Sequence, residues 1–207
     1  MSKLISELLR PASFNDLVIS ENIRTRLLKM HETGNVMNML FYGKPGSGKT
    51  SAAKIFMDSE QFEVLVINGS LETGVEDVRT KICNFCTSIS LFDRHKIVFI
   101  DEADYLSKNA QASLRKVIED TSDNARFIFT VNELKKIHPA LCSRLLLVNF
   151  DMTSSQISKS LENYKDRVKT KLTERYSEVD MDRINRIIDM NFPDYRSIAN
   201  HLEFELL

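Results

Sequence analysis

The feature that most narrows what this chain can become is an alternation. In the first 150 residues, five short apolar runs are separated by stretches with helical spacing. The runs cover residues 38–42, 64–68, 96–101, 127–132 and 145–150. Most are near-continuous in apolar residues rather than alternating, the pattern of strands buried on both faces of a parallel sheet. Helical patterns over 51–57, 75–88 and 107–120 follow the first three runs. The expectation is an α/β fold with a five-stranded parallel sheet flanked by helices, and ligand sites at the carboxyl ends of its strands.

After Phe150 the character changes. Asp151-Met152-Thr153-Ser154 is a polar junction rich in capping residues, and the chain beyond it reads as helices only. Ile157, Leu161 and Tyr164 recur at helical spacing. Pro193 is expected to open the last helix, since proline fits a first turn. The division expected is 1–150 for the α/β domain and 151–207 for a helical one. A unit of about 55 residues is too small to stand securely alone, so it should pack on the first. There is no internal repeat and no low-complexity tract.

Composition sets outer limits. Hydrophobic residues at 43% and charged residues at 28% describe a globular chain rather than a disordered one. The formal charge of −1 excludes a chain-wide basic field, so any nucleic-acid contact must be a local patch. The three cysteines are too few and too odd for a disulfide scaffold, which points to a reducing compartment. The N-terminus has no signal-peptide core, and Arg10-Pro11 interrupts any early helix. No apolar run approaches the roughly 20 residues of a membrane span. A soluble intracellular protein with no membrane partner is expected.

Residues 43–50 read Gly43-Lys44-Pro45-Gly46-Ser47-Gly48-Lys49-Thr50, which satisfies G-x-x-x-x-G-K-[ST] at every fixed position. The motif follows an expected strand and opens an expected helix. Its glycines let the loop curl so that backbone N–H groups face phosphate oxygens. The helix start, with Ser51 next in line, adds unpaired N–H groups and a positive partial charge. Lys49 would place its ammonium on the β- and γ-phosphates of ATP, and the Thr50 hydroxyl would ligate Mg²⁺. A glycine-rich turn that binds nothing is the alternative, and the two correct flanks argue against it.

The third apolar run ends in Asp101-Glu102-Ala103-Asp104. A carboxylate at the tip of a buried strand beside a phosphate loop can hold the magnesium, the role given to Asp101. Glu102 is then placed to orient or deprotonate the attacking water. Asp104 reads as a cap or loop residue. Asn132, at the polar end of the next strand, can donate to the γ-phosphate or hold the water. Arg144 and Arg196 would each be surface residues by spacing alone.

Taken in order, these segments resemble the clamp-loader branch of the AAA+ ATPases: replication factor C small subunits and the motor subunits of tailed phages. Leu9-Arg10-Pro11, Phe14 and Asp16-Leu17-Val18 look like its N-terminal nucleotide-base motif, which implies Arg10, Pro11 and Val18 as base contacts. The phosphate loop and the acidic strand match, as do Asn68-Gly69-Ser70, the helix around Arg79, and 111–116 after the acidic strand. Asn132 matches the first sensor. Ser143-Arg144 matches the Ser-Arg-Cys signature, and residues 191–196 match the second sensor in a form closest to the phage subunits.

The resemblance implies that Arg144 acts in trans on a neighbour's γ-phosphate. It also implies that Arg196, from a helical lid, closes on its own subunit's nucleotide. The partners implied are a sliding clamp, primer-template DNA and further clamp-loader subunits in a ring or spiral. DNA contacts would come from Arg79, Ser107 and Lys108, while Gln111 and Arg115 stand between DNA coupling and ordinary packing. The compartment implied is the cytoplasm, the host's if phage-encoded, or the nucleus in a eukaryote.

Three departures stand out. Leu145 replaces the usual cysteine, 71–74 lacks a common arginine, and the family's helical collar has no counterpart before Leu207. The chain therefore reads as a fragment, or as a short protein that assembles by other means. Other readings are a branch-migration or helicase-loader ATPase, and a non-hydrolysing AAA+ scaffold. The first should add a DNA-binding domain, and the second should lose Lys49 or the acidic pair. An RNA helicase, suggested by the Asp-Glu-Ala-Asp letters, would need a second motor domain. Cys83-Asn84-Phe85-Cys86 lacks the second pair that a structural zinc needs and reads as helix packing.

Overall fold

A computed structural model describes residues 4–71, 75–90, 94–176 and 178–206. Its core is a five-stranded sheet in the order β2-β3-β4-β1-β5, with every neighbouring pair parallel. The strands are β1 (Met39–Tyr42), β2 (Phe62–Asn68), β3 (His95–Asp101), β4 (Ala125–Val131) and β5 (Leu146–Asn149). The helices are α1 (Ile5–Leu8), α2 (Glu21–Thr33), α3 (Lys49–Met57), α4 (Val75–Thr87) and α5 (Lys108–Asp120). They continue as α6 (Pro139–Cys142), α7 (Ser154–Thr173), α8 (Met181–Asn191) and α9 (Tyr195–Leu206). The five expected strands and the parallel sheet are all present, with ends displaced by one or two residues. Expected burial on both faces holds for the three inner strands. The edge strands are partly open: Val66 of β2 is 57% exposed and Leu147 of β5 is 42% exposed.

Successive strand residues point to opposite faces, and the core divides accordingly. On one face Leu40, Ile100, Phe127 and Phe129 pack with Ile82 of α4 and Leu114 and Val117 of α5. On the other, Phe41, Phe99 and Ile128 pack with Leu27 of α2 and Phe56 of α3. There the Phe14 ring meets Phe56 edge-on at 5.0 Å. A third cluster joins Tyr164, Val168, Ile184, Ile198 and Leu202 of the C-terminal helices. Ile5 and Leu9 also belong to it, so α1 and the residue after it are packed into the helical body rather than onto the sheet.

The junction at 151–154 caps α7 as expected. Thr153 accepts from the Gln156 N–H, and the Gln156 side chain accepts from the Thr153 N–H at 2.9 Å. The last helix corrects the expectation for Pro193. It begins at Tyr195, two residues later, after a cis Phe192–Pro193 peptide. Asp194 is the capping residue, its Oδ1 accepting from the N–H groups of Arg196 at 3.1 Å and Ser197 at 3.0 Å. Cys86 is buried and Cys83 half-buried on α4. Among the described residues no group of three or more His, Cys, Asp or Glu could hold a metal ion, and no helix is long and apolar enough to cross a membrane.

Candidate nucleotide site

The loop between β1 and α3 turns on glycine. Gly43, Gly46 and Gly48 have φ of 146°, 78° and 93°, a region that other residues enter only with strain. Gly46 also lacks room for a side chain, because a Cβ there would stand 2.0 Å from Oδ1 of Asp194. The curl buries Lys49, whose Nζ donates to the carbonyls of Gly43 and Lys44, each at 2.8 Å. Burial pushes the Lys49 ammonium down from its ordinary range, and Arg196 pushes the same way. Asp151, Asp104 and Asp101 oppose that shift. Ser47 Oγ is buried with no hydrogen-bond partner among the described residues. An orphaned hydroxyl in a phosphate-type loop is what a polar ligand would satisfy.

At the carboxyl end of the sheet, the Thr50 hydroxyl donates to Oδ1 of Asp101 at 3.1 Å. Thr130 of β4 donates to the same oxygen, and accepts from the Glu102 N–H at 3.1 Å. Glu102 has φ 54°, the one described non-glycine residue in the left-handed region. Such strain costs of the order of 1–3 kcal/mol and persists where surrounding structure enforces it. Asp104, expected as a cap or loop residue, lies within a short 3-10 turn, Ala103–Tyr105, and has specific partners. Its Oδ2 accepts from the backbone N–H groups of Asn132 at 3.2 Å and Glu133 at 3.4 Å. That carboxylate ties the acidic turn to the end of β4.

These groups face one cavity of about 230 Å³ between the sheet and the helical body. It brings together Arg10, Pro11, Val18, the loop from Pro45 to Ser51, Asp101, Glu102, Asn132 and Arg196. Gly43 and Lys44, expected as nucleotide contacts, do not line it; the Lys44 N–H donates to Oδ1 of Asp151 at 2.9 Å. Arg144 does not line the cavity. It lies at the end of α6, with its Nε donating to Oε1 of Glu119 at 2.7 Å.

The DNA candidates are distributed over α4 and α5. Arg79 is exposed and pairs with Glu76 at 3.2 Å. Ser107 caps α5, its Oγ accepting from the Ala110 N–H at 3.2 Å, and Lys108 is the first residue of that helix. Arg115 is exposed and reaches Glu119 at 3.5 Å. Gln111, left between coupling and packing by its sequence, is buried and packed. It donates to the carbonyls of Leu106 at 3.1 Å and Lys136 at 3.2 Å, and accepts from the His138 N–H at 2.7 Å. The segment 72–74, within the stretch that lacks an arginine, lies outside the described residues.

Several cavity residues escaped the sequence reading. Thr130 is an ordinary strand residue by composition. Arg167 of α7 donates to the carbonyls of Leu9, at 2.9 Å, and Asp16, clasping the N-terminal segment against the helical body. An isolated arginine in a polar helix carries no signal for such a role. Tyr195 adjoins Arg196 and could have been found with it. Its hydroxyl donates to the Val18 carbonyl at 2.7 Å, and its N–H donates to Gly46 O at 3.2 Å.

The family model described as "ATPase family associated with various cellular activities (AAA)" matches residues 39–153. The chain is 31% identical to the probable replication factor C subunit 5 of Dictyostelium discoideum, over 94% of this chain and 56% of that protein. It is 32% identical to the replication factor C subunit 3 of Schizosaccharomyces pombe and to the human subunit 5, in each case over 94% of this chain and 57% of the relative. The chain thus spans just over half the length of these curated relatives, and they bear out the clamp-loader resemblance. Among solved structures, the RuvB Holliday junction branch migration motor of Thermotoga maritima superposes with a TM-score of 0.72 at 24% identity. That match covers 95% of this chain and 64% of the other. The Aeropyrum pernix ORC1 protein in complex with DNA gives 0.67 at 17% identity, covering 96% and 62%. At these identities the two structures attest the fold alone. With a family match spanning more than half of its residues, the chain belongs to the AAA family of ATPases.

Proposed function

We propose that this chain is an ATP-hydrolysing motor subunit of a sliding-clamp loader, acting with other such subunits on a clamp and on primer-template DNA in a soluble compartment. The observation that carries the reading is the convergence of Thr50, Asp101, Thr130 and Glu102 at the mouth of one cavity, with Arg144 outside it. Similarity to replication factor C subunits over nearly the whole chain supports the choice of machine.

The roles follow from position. The loop N–H groups and the Lys49 ammonium cradle the phosphates, releasing the carbonyls of Gly43 and Lys44. Thr50 and Asp101 present hard oxygens 3.1 Å apart, a donor set suited to Mg²⁺. Thr50 and Asp101 would hold that ion, which would supply positive charge against the negative charge of the phosphates. Glu102, fixed by its N–H bond to Thr130, orients and deprotonates the attacking water. Asn132 holds that water or the γ-phosphate. Arg196 closes from the helical body, which serves as a lid, and Arg144 completes a neighbour's site. Arg10, Pro11 and Val18 line the end of the cavity that takes the base. Exposed Arg79, Lys108 and Arg115, with the capped start of α5 at Ser107, form the DNA-facing set.

The test is ATP hydrolysis across a protein-concentration series, with and without primer-template DNA. A rate per chain that rises with concentration, and rises again with primed DNA, supports the reading. Hydrolysis that is independent of both would overturn the assembled, DNA-gated motor.

A further inference from the structure

Arg144 is held away from its own nucleotide cavity by two groups. Its Nε donates to Oε1 of Glu119 at 2.7 Å, and Nη2 lies 2.6 Å from the same oxygen. Nη1 donates to Ser143 Oγ at 2.8 Å. Glu119 belongs to the last turn of α5, while Arg144 follows α6, so the contact bridges two elements that are 25 residues apart in sequence. Arg115, one turn earlier on α5, reaches the same Oε1 at 3.5 Å.

A guanidinium carries five N–H donors. Three are engaged here, and the remaining two are one on Nη1 and one on Nη2. With the Nε edge occupied by a carboxylate, the terminal end of the fork stays available, and a terminal fork matches two oxygens of a phosphoryl group. Left unsupported, a long exposed arginine samples many rotamers and loses that freedom when it docks. Support given beforehand removes that loss from the reaction step.

We propose that Glu119 is a positioning residue for Arg144, holding its guanidinium so that the two remaining N–H groups face a phosphoryl group presented by a neighbouring subunit. This rests on the reading of Arg144 as a residue that acts in trans. The hydrogen bond from Arg144 keeps the Glu119 carboxyl below its usual range, so it is ionised throughout the neutral region. Both side chains are part-exposed, at 37% for Arg144 and 42% for Glu119, so the pair orients more than it stabilises. A purely local role for Glu119, as the i+4 partner of Arg115 on α5, would leave a neighbour's chemistry untouched.

The test uses mixed chains. Glu119→Ala should lower kcat by roughly 10- to 100-fold, the scale of a misplaced catalytic group, with KM for ATP changed by less than about twofold. Mixed with Glu102→Gln, which has an inactive site of its own but an intact Arg144 and Glu119, the Glu119→Ala chain should regain turnover. Arg144→Ala mixed with the same partner is the reference, and circular dichroism and Tm confirm that each variant is folded. An unchanged kcat in Glu119→Ala overturns the proposal. So does a loss that the partner does not restore while Arg144→Ala is restored. If neither variant is restored, the trans reading of Arg144 fails and the proposal fails with it.

Discussion

The Thr50 hydroxyl donates to Oδ1 of Asp101 at 3.1 Å, joining the first turn of α3 to the tip of β3. The two strands that lead to these residues are not neighbours, since β4 lies between β1 and β3. From β4, Thr130 donates to the same carboxylate oxygen. One oxygen thus gathers hydroxyls from both sides, and with the Thr50 hydroxyl it would present oxygen ligands to a hard cation.

Asp101→Asn should raise the Mg²⁺ concentration needed for half-maximal hydrolysis by roughly 10- to 100-fold, the usual scale for damage to a metal site. A Mg²⁺ titration of the ATPase reads this directly. An unchanged half-saturating concentration would remove Asp101 from the metal role.

Glu102→Gln should bind ATP within about twofold of the parent and lose turnover by roughly 100-fold or more, the range for a missing general base. Its backbone sits at φ 54°, and glutamine faces the same conformational demand as glutamate. Stability should therefore shift by less than about 0.5 kcal/mol, as for a substitution that creates no cavity. Unchanged turnover would show that another group activates the water.

Arg144→Ala should cut hydrolysis by about a thousandfold or more, the scale of a trans arginine, while leaving nucleotide affinity nearly intact. Titration with a fluorescent ATP analogue separates the two effects. Loss of binding would place this arginine in its own subunit's pocket.

Alkaline pH should loosen the helical body. Burial raises the Tyr164 hydroxyl to about 12, and the neighbouring buried Tyr195, with ring centroids 5.2 Å apart, is raised as well. A folded-state value above the unfolded one contributes stability that is present below about pH 10 and is lost as pH climbs towards 12. For Tyr164, the rise from an ordinary phenol near 10 to about 12 is equivalent to about 2–3 kcal/mol. Tm measured between pH 9 and 12 should fall, and Tyr164→Phe should flatten part of that slope. An equal slope in the variant would show that this hydroxyl does not govern the loss.

The element order was legible because it is written locally. The apolar runs gave five strands to within one or two residues, and the glycines of 43–48 announced a curled loop through a backbone rule that needs no distant partner. The start of α9 was misplaced because proline alone suggested a first turn, whereas Asp194 supplies the cap and the helix begins behind it. By sequence, Gln111 stands between DNA coupling and ordinary helix packing. Its burial depends on where Lys136 and His138 arrive, which no spacing within α5 contains.

Local chemistry was therefore enough to locate the phosphate loop, the acidic strand end and the polar tip at Asn132, because each depends on a few consecutive residues and on the hydrophobic period around them. The partners of those residues came from the fold. Strand order inserted Thr130 beside Asp101, the packing of α7 brought Arg167 to Leu9, and the meeting of α5 with α6 set Glu119 against Arg144. Side chains meet where packed layers bring them within a few ångströms. Separations of 29, 158 and 25 residues carry no trace of that until the core closes.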